Sequence, residues 1–363
     1  MIWSVRHRGN RWRRNHDKRW NLRQDRRKFI GSSGFAAPKI PHLAWLARHT
    51  NCDIKKIDDK TVELSLPDHL DFEENYADTV DHFAALRKAA NAGYRIKELV
   101  FDNIRFVSPA AALVLASEVD RWNQRIGGKL KSYDHKWDND IKRLLCGMGF
   151  FELLNIKRPT IPADHEISLT FLNFIRGTSA VRDSGKLARQ LRMNIEALVG
   201  AEIQRHFLFE GLSEAITNVG QHAYPLDPFD ISKKQWWLSA SYKPVDQELV
   251  VMFYDQGRGI PNTLPMKWAS FELVKRLFSS WTDSQKIEAA MEYGRTATKR
   301  SERGKGLQNL IEFAKAHDEG KLSIYSHFGL YRVIWSKKSG TKTLLRDHEH
   351  SIGGTLIEWS VKL

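Results

Sequence analysis

Residues 209–224, FEGLSEAITNVGQHAY, constrain this chain more than any other stretch. They read as one helix that closes near Ala223, with Pro225 just beyond to stop it. Glu214, Asn218 and His222 stand four residues apart, so an acid, an amide and an imidazole share one helix face. Leu212, Ala215, Ile216 and Val219 fall on the opposite side and suit a core. Such a polar row can serve a metal–phosphate site, or it can be a solvated surface. The company it keeps along the chain decides between them.

A chain of 363 residues, 42% of them hydrophobic, is long enough for two domains with separate cores. No run of about 18 apolar residues occurs, so no membrane span is expected. Cys52 and Cys146 lack metal-like spacing and fit a reducing compartment. The net charge of +14 is unevenly spread. Residues 1–28 carry eleven Lys/Arg against Asp17 and Asp25, interleaved with Trp3, Trp12 and Trp20. Such a tail can neutralise phosphates and stack on bases, lie on an anionic membrane surface, or stay an unstructured basic extension. Arg26-Arg27-Lys28-Phe29-Ile30-Gly31 also has the look of a twin-arginine export signal, but Pro38 and Lys39 cut the apolar stretch behind it short.

The first globular region is expected over residues 53–157, behind a tail and linker at 1–52. Short strands at 53–56 and 61–66 flank the Asp58-Asp59 turn. Helical periodicity covers 72–92, and a strand is expected at 96–104. Ser108-Pro109 supplies an N-cap and a first-turn proline for a helix running to about 126. A strand at 129–133 and a helix at 138–154 complete a ββαβαβα order. A proline-containing linker at 158–167 leads to the second region, 165–363. There the expectations are a strand at 167–174, a helix at 184–199, the organising helix from about 201 to 223, and a hairpin at 235–242 and 248–254. Helices at 270–278, 284–293 and 307–316 and strands at 321–325, 331–336 and 354–362 follow.

Four short signals stand in order after residue 200. Glu214 and Asn218 lie on the organising helix. Asp255-Gln-Gly257-Arg-Gly259 directly follows the apolar run 249–254. Gly304-Lys305-Gly306 precedes a helix, and Gly353-Gly-Thr355 enters the last strand. Each alone is weak, because glycines are common in turns. Together they describe a nucleotide site. A buried strand delivers Asp255 at its carboxyl end, where a carboxylate can accept from the exocyclic amine of adenine. Gly257 and Gly259 remove side chains beside a flat base. A helix N-terminus at Gly304–Gly306 offers N–H groups to phosphates, and Lys305 adds charge. Asn218 offers an amide oxygen suited to Mg²⁺. Glu214, one turn earlier, can orient or deprotonate a nucleophile.

These motifs resemble the GHKL ATPases, the superfamily of gyrase, histidine kinases and the mismatch-repair ATPase, across roughly residues 165–363. The wording of residues 213–224 is most similar to the anti-sigma-factor serine kinases. The resemblance implies a Bergerat-type α/β sandwich with a mixed sheet, covered on one face by helices, and a mobile lid over roughly 261–304. It assigns Glu214 as base, Asn218 as Mg²⁺ ligand, and Asp255, Gly257, Gly259, Gly304, Lys305, Gly306 and Thr355 as ATP-binding residues, with His222 near the nucleotide. His206 lacks the surroundings of a phosphoacceptor. The strand before Ile104, the helix opening at Ser108 and the Gly147-Met-Gly-Phe-Phe151 stretch resemble a STAS domain. Its usual phosphorylated turn is replaced by Val107-Ser108-Pro109-Ala110-Ala111, so Ser108 reads as a helix cap.

The expectation is therefore a cytoplasmic regulatory protein that binds ATP and Mg²⁺. It would phosphorylate a protein partner on serine, such as a sigma-regulator-like protein, or hydrolyse ATP slowly. A non-catalytic nucleotide-gated switch and a nucleic-acid-linked ATPase using residues 1–28 are the rivals, and a homodimer is left open.

Overall fold

The computed structural model describes residues 52–91, 93–126, 137–153, 157–161, 169–178, 184–203, 205–224, 234–267, 280–293 and 306–363. The basic tail, the twin-arginine stretch, the expected strand at 129–133, the expected helix at 270–278, Pro225, Gly304 and Lys305 lie outside the described residues.

The first region builds β1 (Ile54–Lys56), β2 (Thr61–Ser65), β3 (His69–Leu70), α1 (Tyr76–Asn91), β4 (Arg95–Val100), β5 (Phe106–Val107) and α2 (Pro109–Ile126). Helices α3 (Asn139–Gly147) and α4 (Phe150–Leu153) follow. β1 and β2 form the expected hairpin, and β2 pairs parallel with β4. Ser108 caps α2 as its position predicts, with its Oγ accepting from the Ala111 amide at 3.3 Å. One helix was expected at 138–154, but Gly149, at φ +75°, breaks it into α3 and α4.

The second region is a seven-stranded sheet in the order β11-β10-β9-β12-β8-β7-β6. Its strands are β6 (Thr170–Thr178), β7 (Gln235–Lys243), β8 (Glu248–Asp255), β9 (Glu319–Ser326), β10 (Gly329–Ser336), β11 (Gly340–Asp347) and β12 (Thr355–Lys362). Every neighbouring pair is antiparallel, which corrects the expected mixed sheet. The reason is topological. β8 and β9 run the same way, but the C-terminal strand β12 inserts between them, opposed to both, so no parallel pair forms. Helices α5 (Ser184–Val199), α6 (Arg205–Asn218), α7 (Ile260–Lys267), α8 (Asp283–Tyr293) and α9 (Gly306–Lys315) accompany the sheet. β11 and α7 were not foreseen as such.

The sheet is covered on both faces, not one. Along β8, Leu249, Val251 and Phe253 enter a core with α5, α6 and α9, through Leu191, Leu212, Ile216 and Phe313. Met252 and Tyr254 enter the other core, with Leu86, Val114 and Trp122 of α1 and α2. β7 divides likewise between Trp236 and Trp237, and β12 between Ile357 and Leu356. Strand residues alternate faces, so a strand with a core on each side must be apolar at every position. The unbroken run at 249–254 is the sequence trace of this double coverage. The regions expected at 53–157 and 165–363 thus share a continuous hydrophobic interior along one sheet face.

Candidate functional site

Strand register places the first two site residues. Asp255 ends β8 directly opposite Thr355, the first residue of β12, so both side chains share a face. Alternation makes that the face of Phe253 and Ile357, the one under the helical layer. Asp255 and Thr355 are each about 6% exposed. Burial pushes the Asp255 carboxyl up to about 7, against the hydrogen bond from the Gly257 amide at 2.7 Å, which favours the charged form. Among the described residues no cation forms an ion pair with Asp255.

The organising helix lies across this sheet end. α6 runs to Asn218, and residues Val219–Ala223 then form one π turn, where a continuous α-helix was expected. In an α-helix His222 would stand about 80° round from Glu214; a π turn steps only about 80° per residue and returns it to within about 10°. Carbonyls left open where the helix ends find donors. Lys234 Nζ donates to Gly220 O at 2.6 Å, and the Arg258 amide donates to Ala223 O at 2.8 Å.

A cleft lies between the π turn and the sheet. Asn218, His222, Asp255, Gly259 and Thr355 all line it, over an apolar floor that includes Phe253, Ile260 and Ile357. Thr263 of α7 and Ala290 of α8 border it from the region expected to form a lid. Its apolar floor and few convergent polar groups suit a small ligand with a flat apolar body.

Two expected residues sit differently. Glu214 is one turn behind the cleft, where its Oε1 accepts from Asn218 Nδ2 at 2.8 Å. That bond uses the Asn218 amide nitrogen and identifies its oxygen as the remaining acceptor. Gly257 is required by the protein's own packing. A Cβ there would lie 2.5 Å from Ala223 Cβ and 2.7 Å from Ala223 O, so the loop could not approach the helix end. Gly259 does line the cleft, at φ +76°, and a Cβ would lie 2.9 Å from Ser326 Oγ. Gly306 is the first residue of α9, which packs along α6. His206 is on the surface, 3.2 Å from Glu210.

Sequence reasoning missed the residues that hold the site together. Ser326, opposite Thr355 on β9, contacts Thr355 Oγ1 at 3.0 Å and accepts from the Ile260 amide at 2.9 Å. The Tyr224 hydroxyl accepts from the Gln256 amide at 3.2 Å and donates to Gln235 O at 3.1 Å. A serine at a strand end and a tyrosine after a helix carry no distinctive sequence signal, though Tyr224 stands inside the organising stretch.

No protein-family model and no curated protein matches this chain.

Among the described residues no group of three or more His, Cys, Asp or Glu is disposed to hold a metal ion. A cation at Asn218 would therefore rest on one amide oxygen together with ligand oxygens, a mode familiar for Mg²⁺ with phosphates. Among the described residues no helix is long and apolar enough to cross a membrane.

Proposed function

We propose that this chain is a regulatory protein of the GHKL type that binds ATP with Mg²⁺ and either phosphorylates a protein partner on serine or slowly hydrolyses ATP. The observation that carries the reading is the cleft. Asn218, His222, Asp255, Gly259 and Thr355 are spread over 218–355 in sequence, yet they line one cleft over an apolar floor. The buried Asp255 carboxylate accepts from the adenine amine, where the carbonyl of guanine would be repelled. Phe253, Ile260 and Ile357 cover the ring's apolar faces. The Asn218 oxygen holds the cation, and bound Mg²⁺ would neutralise phosphate charge and fix the geometry of the terminal phosphoryl group. Glu214 orients Asn218 through their hydrogen bond and stands within one turn to take a proton from an incoming hydroxyl or water. A STAS-like character for residues 53–157, a protein phosphoacceptor and residence in the ATP-supplied cytoplasm belong to the same proposal.

Glu214→Gln tests the catalytic part. It keeps the side-chain shape and removes the base. ATP should still bind within about threefold of wild type, while hydrolysis or phosphotransfer falls by about 10²- to 10⁴-fold. Unchanged turnover would remove Glu214 as base.

One observation favours a second reading, a nucleotide-gated binding switch without turnover. Glu214 is engaged by Asn218 and does not line the cleft. Equal action of ATP and a non-hydrolysable analogue on partner binding would select the switch.

A further inference from the structure

The residue after Asp255 points away from the cleft. Gln256 is 8% exposed, and its side chain turns toward α2 of the N-terminal region. Arg121 Nη1 donates to Gln256 Oε1 at 2.7 Å, and Gln256 Nε2 donates to Ser117 Oγ at 3.4 Å. The other half of the adenine edge is held from the same side. Arg87 of α1 donates through Nη2 to Ile352 O at 2.8 Å, and its Nε donates to Glu118 Oε1 at 2.8 Å. The Arg87 guanidinium occupies the space that a side chain at Gly353 would need. The Tyr254 hydroxyl, on the residue before Asp255, lies 3.4 Å from the same Glu118 oxygen and donates toward Ile352 O at 3.5 Å. Residues 254–257 and 352–354 lead into the cross-strand pair Asp255–Thr355. Arg87, Ser117, Glu118 and Arg121 thus reach both chain segments behind the cleft, and all four belong to the N-terminal region.

We infer that Arg121 and Arg87 are positioning residues for nucleotide binding: through Gln256 and the 352–353 carbonyls, the N-terminal α/β region sets the placement of Asp255 and Thr355. Binding at the cleft and the seating of α2 on the sheet are therefore energetically linked, and the linkage is reciprocal. The inference rests on the adenine-binding reading of the cleft. Arg121 is the cleaner probe of the two. Its partner Gln256 is neutral, so truncation leaves no buried charge, whereas loss of Arg87 leaves the 3%-exposed Glu118 uncompensated.

The test uses the full chain with wild type, Arg121→Ala, Arg121→Lys and Gln256→Ala, each checked for an unchanged circular dichroism spectrum. ATP and GTP dissociation constants are measured by calorimetry. Amide hydrogen exchange is followed over residues 109–124 with and without ATP. Arg121→Ala and Gln256→Ala should each weaken ATP by about 5- to 20-fold and narrow the ATP/GTP ratio. Arg121→Lys should recover part of both. ATP should slow exchange over 109–124 in wild type and not in Gln256→Ala. A purely structural role would lower thermal stability without moving the base preference or the ligand-linked protection. If wild type binds ATP while both alanine variants keep its affinity, base preference and protection, this inference alone is overturned. If wild type binds no adenine nucleotide, the cleft reading falls and this inference falls with it.

Discussion

The buried carboxylate makes nucleoside affinity depend on pH in a predictable direction. Burial raises the Asp255 carboxyl to about 7, and acceptance of the adenine amine favours its charged form. The ligand therefore binds the ionised protein better, and affinity should rise with pH and flatten above about 7. With a midpoint near 7, about one-tenth of Asp255 is ionised at pH 6 and about nine-tenths at pH 8. Affinity should thus fall roughly tenfold from pH 8 to pH 6, about 1.4 kcal/mol. Adenosine is the proper ligand, because the terminal phosphate of ATP itself titrates near 6. Calorimetry in buffers of different ionisation enthalpy should also register release of nearly one proton at pH 6. His222, an imidazole, lines the same cleft, so the series is repeated in His222→Gln. In Asp255→Asn the profile should flatten. An affinity that is flat in wild type, or that rises as pH falls, would refute the assignment of Asp255 to the adenine amine.

Gly257→Ala should destabilise the fold by about 1–3 kcal/mol by chemical denaturation, because its Cβ meets Ala223 Cβ at 2.5 Å, and should weaken ATP as the helix end shifts. Asn218→Ala should abolish the dependence of ATP affinity on Mg²⁺ while leaving adenosine affinity within about threefold, read by calorimetry with and without the cation. Arg87→Ala should cost about 3–5 kcal/mol of stability by leaving Glu118 buried and unpaired, and Glu118→Gln in that background should recover part of it. His348, stacked on Tyr76 with centroids 3.6 Å apart, is held by burial down to about 4, so its native form stays neutral. The unfolded chain then binds the extra proton first, and stability should fall with pH from about 6.5 towards 4, an effect that His348→Gln should remove.

Much of the site was legible because its signals sit at element ends, where the chain changes direction for local reasons. The apolar run 249–254 marked a buried strand, so Asp255 had to emerge at its end. Ser108-Pro109 announced a helix start for reasons internal to one turn. The rest depends on partners distant in sequence. The antiparallel sheet follows from β12 entering between β8 and β9, which only the finished topology decides. β11 escaped notice because it is an edge strand with mostly exposed side chains, so no alternation marks it. The π turn is stabilised by Lys234 and by the Arg258 amide, neither of which the helical pattern contains. Double coverage of the sheet was written in β8, whose residues 249–254 are all apolar, but naming the cover required the packing of α1 and α2.

The central claim is that this cleft selects adenine through Asp255. Calorimetry of wild type with ATP and with GTP, both with Mg²⁺ at pH 8, tests it most directly. One ATP per chain should bind, with GTP at least about tenfold weaker, since a donor is exchanged for an acceptor opposite a carboxylate. Asp255→Asn, whose amide can turn to serve either base, should bring the two nucleotides within about threefold. No ATP binding, or equal binding of both nucleotides by wild type with no change in Asp255→Asn, would contradict the account.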